Sequence, residues 1–274
     1  MNAPSHKAAF VIDVSVVVAA TGAGLLCPWG VARWYGALLT GFIGIAGAVL
    51  TGALVVHVLT GLVDPRKASR TATPARDARA RRARHGAGRL IAACLLAWPV
   101  ARMWAGLPTG LVFDVDAAGG PLRVAISNVL AIVALDAWLY WKHRLLHTRA
   151  LFPFHRAHHA YRDPTSLASF AVGPVESVLT FWPVVLVAHP AAPHYAPVYF
   201  ALVVGFISLN FYLHCGVGAH LIEATLPRLG FNTSAFHNRH HANANVNFGE
   251  AMIVWDRLMR TEERAACDDS RAHA

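Results

Sequence analysis

Charged side chains are scarce in this sequence. Only 14% of its 274 residues are Asp, Glu, Lys or Arg, whereas an ordinary soluble domain carries about 25%. A disordered chain and a nucleic-acid-binding domain both carry more charge than this, so the composition is a poor match to either class. The 55% of hydrophobic residues and the mean hydropathy of +0.42 instead indicate an integral membrane protein.

Cysteine is scarce too, and the four cysteines are far apart: Cys27, Cys94, Cys215 and Cys267. They form no C-x-x-C pair, which argues against a zinc finger, an iron–sulfur cluster and a disulfide framework. The sequence also lacks the G-x-G-x-x-G fingerprint of a flavin or nicotinamide site, and no haem-binding domain is visible. Any redox chemistry would therefore depend on an electron donor outside this chain.

Long apolar runs are abundant, and a helix needs roughly 20 apolar residues to cross the hydrocarbon core. The runs cover residues 8–26, 34–63, 90–107, 124–141, 171–188 and 196–213. They predict an all-α membrane bundle of about six transmembrane or re-entrant helices, the last two forming a hairpin around residues 189–194. The first run contains Asp13 and lacks a clear small-x-small site, so we do not expect it to be a cleaved signal peptide.

Basic residues are placed unevenly between these runs. The segment 64–89 carries nine basic and two acidic residues, and segment 142–162 is basic and rich in histidine. Segment 108–120 instead contains Asp114 and Asp116 and no Lys or Arg. The positive-inside rule therefore predicts a basic cytoplasmic loop at 64–89 and a histidine-rich cap on the cytoplasmic side. The net charge of +9 then marks a membrane face and not a nucleic-acid site.

Eight of the 16 histidines fall into three clusters, spaced H-x3-H, H-x2-H-H and H-x2-H-H. The clusters are His143 and His147, then His155, His158 and His159, then His237, His240 and His241. Histidines at i and i+4 share one face of a helix, and neutral imidazole binds Fe, Zn, Cu and Ni. In each H-x2-H-H cluster we expect the first two histidines to share a face and the last to point about 100° away. One cluster could thus serve two metals.

This order of clusters at the ends of membrane helices resembles the fatty acid hydroxylase/sterol desaturase superfamily. The flanking residues carry the resemblance as well. Asp136 and Tyr140 precede the first cluster, Phe154 opens the second, and the segments Asn-Phe-Gly at 247–249 and Trp-Asp-Arg-Leu at 255–258 follow the third. The resemblance covers about half of the chain.

The extent of the resemblance divides the chain into three parts. Residues 1–124 are expected to hold the N-terminal membrane spans with the basic loop, residues 125–262 a histidine-box hydroxylase/desaturase domain, and residues 263–274 a C-terminal tail.

The resemblance implies a membrane-bound non-haem di-iron oxygenase. Such an enzyme uses O2 and two electrons to hydroxylate or desaturate a lipid, and its iron ligands would be the eight clustered histidines. The family also takes an imidazole from the helix before the third cluster, near an H-x3-H stretch. Here that stretch runs from Asn210 to His214. His214 is therefore expected to be a ninth ligand, and Asn210 is expected to hold a metal through water or to orient a neighbour.

Asp136 lies two helical turns before His143 on the same face. We expect its carboxylate to fix a histidine tautomer, with a polar anchor for the helix as the alternative. No other residue is expected to be catalytic beyond the metal ligands.

The implied partners are the membrane, a lipid substrate and a separate ferredoxin- or cytochrome-like electron donor, which the basic face could steer. No nucleic acid is expected. The composition is rich in Ala and Arg and poor in Lys, which is typical of a GC-rich bacterial genome and hence of a bacterial inner membrane.

Other functions stay open from the residues themselves. A metal-binding protein or transporter without oxygenase activity would place its ligands near the bilayer midplane on broken helices, whereas these clusters lie at predicted helix ends. A membrane zinc hydrolase would need an H-E-x-x-H glutamate, and no Glu lies within any cluster. A member of the family without activity is the remaining alternative.

Overall fold

The computed structural model describes residues 11, 12, 15, 31–64 and 78–263. The predicted first span at 8–26 lies almost wholly outside the described residues. So do residues 65–77 of the basic loop and nearly all of the C-terminal tail.

The described part of the chain is mostly helical, as predicted. Its helices are α1 (Val31–Val63), α2 (Ala78–Trp104), α3 (Pro121–Leu146), α4 (Phe152–His155), α5 (Pro174–Val187), α6 (Ala196–His214), α7 (His220–Thr225), α8 (Ser234–Ala242) and α9 (Val254–Met259). Single 3-10 turns cover His158–Ala160, Ser166–Ala168 and Leu226–Leu229. The strands β1 (Leu111–Val112) and β2 (His194–Tyr195) form a small parallel pair, which an all-α prediction does not include.

Three helices in the described residues are long and apolar enough to cross a membrane: Gly44–Val63 within α1, the whole of α3 and the whole of α6. α5 is apolar but has 14 residues, which at 1.5 Å per residue gives only about 21 Å against a hydrocarbon core of about 30 Å. The described residues therefore support a membrane protein with three such helices, and the predicted count of six is not confirmed.

The predicted basic loop at 64–89 extends too far along the chain. α2 begins at Ala78 and continues to Trp104 through Pro99, so residues 78–89 are the first turns of a helix. Ala and Arg are among the strongest helix formers, and the charge of this stretch obscured that propensity. Arg89 donates hydrogen bonds to the carbonyls of Phe170 and Leu167, so this segment also packs on the protein.

The helices define two ends of the bundle. The C-terminal turns of α3 and α6 carry His143 and His214 at one end. At the other end β1 follows α2, and it pairs with β2, which follows α5. Gly110 enters this contact so closely that a Cβ there would lie 2.3 Å from the carbonyl oxygen of His189. The turns around 108–120 and 189–194 thus lie together, at the end of the bundle away from His143 and His214.

An apolar core joins α1, α2, α5 and α6. It is formed by Ala53, Ala92, Leu96, Phe170, Phe181 and Phe211. Gly88 lets α2 approach the segment before α5, since a Cβ there would lie 2.0 Å from the carbonyl oxygen of Val172. This packing holds the histidine-bearing ends of the helices in register.

Candidate metal centre

The structure brings all nine predicted ligand histidines together in two groups. The five-histidine group contains His143, His147, His155, His159 and His240. The four-histidine group contains His158, His214, His237 and His241. Within each group the ring nitrogens that face the centre all lie within 4.8 Å of one another. Every member of the four-histidine group is buried, whereas His147 and His159 of the five-histidine group are half-buried.

Each H-x2-H-H cluster contributes to both groups, but the division differs from the expected one. The first and last histidines of the third cluster, His237 and His241, join the same group, and His240 between them joins the other. The second cluster divides in the same way, with His158 apart from its neighbours. At 100° per residue, positions i and i+4 are about 40° apart on a helix and positions i and i+3 about 60° apart. The closer pair therefore shares a group.

The third cluster lies on α8, a helix with an N-cap residue. Thr233 precedes α8 and its hydroxyl accepts a hydrogen bond from the backbone N–H of Phe236 at 3.4 Å, which is the usual N-cap arrangement. The first cluster lies at the last turn of α3, where the rings of His143 and His147 are 5.1 Å apart. Each of these two clusters therefore carries a pair of histidines four residues apart on helical backbone.

The Nε2 atoms within each group approach one another closely. In the five-histidine group the Nε2–Nε2 distances are 3.2 Å for His143–His155, 3.0 Å for His155–His159 and 3.1 Å for His159–His240. In the four-histidine group they are 3.3 Å for His158–His214, 3.1 Å for His214–His237 and 3.2 Å for His237–His241. Metal–imidazole bonds of about 2.0–2.1 Å place neighbouring ligand nitrogens roughly 3 Å apart, so each group could hold a metal ion at these separations.

Several histidines have their tautomer fixed from the outer side of the ring. Nδ1 of His143 donates to the carbonyl oxygen of Phe248 at 2.8 Å, and Nδ1 of His240 donates to that of Val246 at 2.6 Å. Nδ1 of His214 donates to the carbonyl oxygen of Asn210 at 2.9 Å. A ring that carries its proton on Nδ1 presents a bare lone pair on Nε2, which is the form that binds a metal.

Burial keeps the rings of these clusters neutral. Together with neighbouring imidazoles it lowers the pKa of His147 to about 3 and of His159 to about 2, and it lowers the pKa of His240 to about 4. Burial also holds the pKa values of His155 and His241 well below the usual 6.5. At pH 7 the nitrogens therefore carry lone pairs and not protons, as metal ligands must.

Glu176 is a site residue that the sequence did not reveal. It lies in the first turn of α5, is buried, and its Oε1 accepts a hydrogen bond from Nδ1 of His155 at 2.8 Å. Such a carboxylate raises the basicity of a ligand histidine and orients its ring. A lone glutamate inside the apolar run 171–188 is the signal that could have found it, because a charge at that depth is costly unless it has a role.

Asp136 does not contact a histidine, and the expectation that it fixes a histidine tautomer is wrong. Its carboxylate accepts hydrogen bonds from the backbone N–H of Met252 at 3.0 Å and from Nε1 of Trp255 at 2.9 Å. It therefore fastens the segment after the third cluster to α3, which is closer to the alternative of a polar anchor. Glu176 makes the contact that was expected of Asp136.

Asn210 acts on its neighbour through the backbone. Its carbonyl oxygen accepts from His214, while its side-chain amide donates to the carbonyl oxygen of Phe206 at 3.4 Å. Asn210 also lines the cavity against the histidines. The contact with His214 uses the backbone carbonyl, so the two expected roles of the Asn210 side chain stay predictions.

Asp256 explains the residues that follow the third cluster. Its carboxylate accepts from the backbone N–H groups of Phe248 and Gly249 at 2.8 and 2.7 Å. It also accepts from the Thr261 hydroxyl at 2.6 Å. These bonds fix the loop whose Phe248 carbonyl orients His143. The Asn-Phe-Gly and Trp-Asp-Arg-Leu segments therefore hold the ring of His143 in its orientation.

His85 also lies at the site, although it belongs to none of the clusters. It is buried on α2, its ring lies 5.9 Å from that of Tyr161, and it is among the groups that lower the pKa of His158. Its position in an Arg-rich stretch gave no signal of this, since its spacing matches no ligand pattern.

A cavity of about 440 Å³ lies between α3, α5 and α6 and is lined almost wholly by apolar side chains. A second cavity of about 40 Å³ lies against the histidines of both groups. Thr180, Phe181 and Phe206 line both cavities. The larger one has the size and lining of a site for an apolar small molecule, for which volumes of about 300–1,000 Å³ are usual.

Comparison with known proteins gives a match to a family model and matches to curated relatives. Residues 128–261 match the family model of the fatty acid hydroxylases. Lathosterol oxidase of Mus musculus is 26% identical in an alignment of 173 residues that covers 57% of this chain and 55% of that protein. The Delta(7)-sterol 5(6)-desaturase erg3B of Aspergillus fumigatus is 32% identical over 153 residues, which are 55% of this chain and 41% of that protein.

The chain spans about half the length of the curated relatives it matches. No solved structure shows a significant match to it.

Proposed function

The chain belongs, through residues 128–261, to the fatty acid hydroxylase/sterol desaturase superfamily, and we propose that it is a membrane oxidoreductase that hydroxylates or desaturates a lipid. The observation that carries the proposal is the convergence of nine neutral imidazoles in two groups beside an apolar cavity. Such an arrangement would place a bound metal ion close to a bound lipid.

We propose that each group holds one iron ion. The donor set fits, since it consists of imidazoles whose bare Nε2 atoms converge, and imidazole suits iron, zinc, copper and nickel. Five imidazoles exceed the four ligands of a structural zinc site, which favours a metal of higher coordination number in the five-histidine group. Bound iron would supply O2 activation and the one-electron steps that break an unactivated C–H bond.

The protein's own residues would position the substrate and exclude water. The cavity between α3, α5 and α6 offers an apolar chain or ring system a dry site, and Phe181 and Phe206 lead from it to the histidines. Exclusion of water protects a strongly oxidising centre from side reactions.

The overall reaction needs two electrons from outside. Hydroxylation converts a C–H bond, O2, two electrons and two protons into a C–OH group and one water. Desaturation converts a CH–CH unit, O2, two electrons and two protons into a C=C double bond and two waters. We propose a ferredoxin- or cytochrome-like protein as the electron donor. The exposed basic residues at the histidine end give an acidic donor a docking surface; they are Arg149, Arg156, Arg162, Arg257 and Arg260.

The same charges support an orientation in the membrane. Arginines are exposed at the histidine end, and exposed Asp114 and Asp116 lie between α2 and α3 near the opposite end. By the positive-inside rule we propose that the histidines face the cytoplasm. The Lys-poor composition supports a bacterial inner membrane as the location.

The relatives suggest a class of substrate. They are named for lathosterol and for Delta(7)-sterols, so a sterol-like polycyclic lipid is the first candidate and a fatty acyl chain the second. Both are apolar enough for the cavity.

The proposal is tested on the full chain purified in detergent. Iron and zinc are counted per chain, and O2 consumption is followed with a sterol or acyl lipid and a reduced ferredoxin. We expect bound iron and oxidised lipid. Bound zinc with hydrolysis, or bound metal with transport and no O2 consumption, would establish the alternative functions.

A further inference from the structure

A buried ammonium group lies at the boundary between the apolar cavity and the histidines. Lys142 on α3 is 3% exposed and lines the histidine cavity beside Thr180 and Glu250. Its Nζ donates to the Glu250 carboxylate at 2.5 Å and to the Thr180 hydroxyl at 3.0 Å. Burial of a charged lysine is unfavourable unless the charge is paired, and the ion pair with Glu250 offsets that cost.

The ammonium of Lys142 has one donor more than its partners use. It carries three N–H bonds, and in the described part of the chain two of them have acceptors. Lys142 lines the small cavity against the histidines, next to a threonine that also lines the large apolar cavity, so the third N–H is available to a ligand there. A buried donor without an acceptor destabilises the folded protein, and an oxygen atom of a bound ligand would remove that cost.

The Lys142–Glu250 ion pair is neutral overall, and this determines which type of ligand oxygen it can bind. Glu250 neutralises Lys142, so a ligand carboxylate would meet a carboxylate already in place and be repelled. A hydroxyl group suits both partners, because it can accept from the ammonium and donate to the Glu250 carboxylate.

We propose that Lys142 and Glu250 bind the hydroxyl group of an uncharged lipid alcohol whose apolar part fills the large cavity. The proposal rests on the proposed function and specifies its substrate. Glu250 Oε1 lies only 3.8 Å from Nδ1 of His143, so the hydroxyl-bearing end of the lipid lies next to the metal centre. The oxidised carbon is therefore close to the hydroxyl group and not at the far end of the molecule.

The test compares three probes that share one chain: hexadecan-1-ol, hexadecanoate and hexadecane. Binding to the full-length protein as purified, without reductant, is measured by displacement of radiolabelled hexadecan-1-ol in detergent. We expect the alcohol to bind roughly tenfold more tightly than the alkane, the usual worth of a hydrogen bond to a charged group. The carboxylate should bind more weakly than the alcohol.

The decisive variant is Lys142→Met with Glu250→Gln, which removes both charges and leaves no unpaired ion. It should reduce alcohol binding to the level of the alkane while alkane binding stays unchanged. The matched control is Arg257→Met with Glu262→Gln, which removes an ion pair of 3.4 Å at the surface and should leave the preference intact. A double variant that keeps the tenfold preference overturns the proposal, and so does a wild-type protein that prefers hexadecanoate.

A second variant decides the matter if the double variant loses all binding through misfolding. Thr180→Val is nearly isosteric and removes one of the two acceptors that orient the ammonium. The ammonium then has a second N–H without an acceptor, so the alcohol preference should rise about threefold, and an unchanged preference overturns the proposal. Binding needs no turnover, so a lost preference in an active oxygenase contradicts only the lysine site. An intact preference in a protein that never consumes O2 contradicts only the proposed function.

Discussion

The two histidine groups are built from the same clusters, yet they are held in different ways. In the five-histidine group, Nδ1 donates to a carbonyl or carboxylate oxygen in His143, His155 and His240, whereas the outer nitrogen of His159 has no partner among the described residues. In the four-histidine group only His214 has such an acceptor.

The outer nitrogens of the remaining members of the four-histidine group have no partner among the described residues; they belong to His158, His237 and His241. The two groups therefore differ in their support and not in their ligand chemistry. One is held in place before a metal arrives, and the other depends on burial and on the metal itself.

The largest expected effect comes from removing one ligand from either group. His240→Ala and His158→Ala should each lower lipid oxidation by more than 100-fold, beyond the roughly 10–100-fold typical of outer partners. Membrane insertion should be unchanged, and His220→Ala, at an exposed position outside both groups, should retain activity. Full turnover in His158→Ala would remove the four-histidine group from the reaction.

Glu176→Gln probes the support of the five-histidine group alone. It keeps the shape of the side chain but replaces a carboxylate acceptor by a neutral amide, so iron affinity at this group should fall about 10–100-fold. Iron bound per chain is measured against a chelator, with Glu262→Gln at a surface ion pair as the matched control. Equal loss of iron from both groups would show that the carboxylate acts globally.

Titration with a chelator compares the groups directly. Because three of its rings lack an outer partner, the four-histidine group should give up its iron at about tenfold lower chelator concentration. The weaker step should vanish in His241→Ala and the tighter one in His240→Ala. Iron release in one single step from the wild-type protein would mean that the outer hydrogen bonds do not make the two groups differ in iron affinity.

The smallest effect concerns the stability of the metal-free protein against pH. Unfolded histidine binds a proton near pH 6.5, while burial lowers the folded-state pKa of His147 to about 3 and of His240 to about 4. Between these values the unfolded chain binds more protons, so the free energy of unfolding falls as the pH falls. The slope is about 1.4 kcal/mol per pH unit for each such histidine.

Thermal unfolding at pH 7, 6 and 5 measures this slope. Replacing His240 by Ala should remove the contribution of one proton from this slope, about 1.4 kcal/mol per pH unit. A stability that rises on acidification would contradict the buried, neutral state of the rings.

Much of the site could be predicted from the sequence, because its ligands follow local helical spacing. His143 and His147 share a face by their four-residue separation alone, and the resemblance added His214. The division into groups was not predicted, since the 20° difference between the i+3 and i+4 positions decides it.

The supporting contacts could not be found from spacing. Glu176 reaches His155 from another helix, and Lys142 pairs with Glu250 across 108 residues of chain. Such contacts exist only once the helices have packed. In the fold, the long apolar helices α3 and α6 were predicted, whereas the helical start of α2 was hidden by its charge.

The central claim is that the nine histidines form two separate iron sites. Mössbauer spectroscopy of the full chain loaded with 57Fe, together with iron counts, tests it most directly. The account predicts two irons per chain in the wild-type protein and one in His241→Ala, with the remaining signal that of the five-histidine group. A single iron per chain in the wild type, or a variant that loses both irons together, would contradict it.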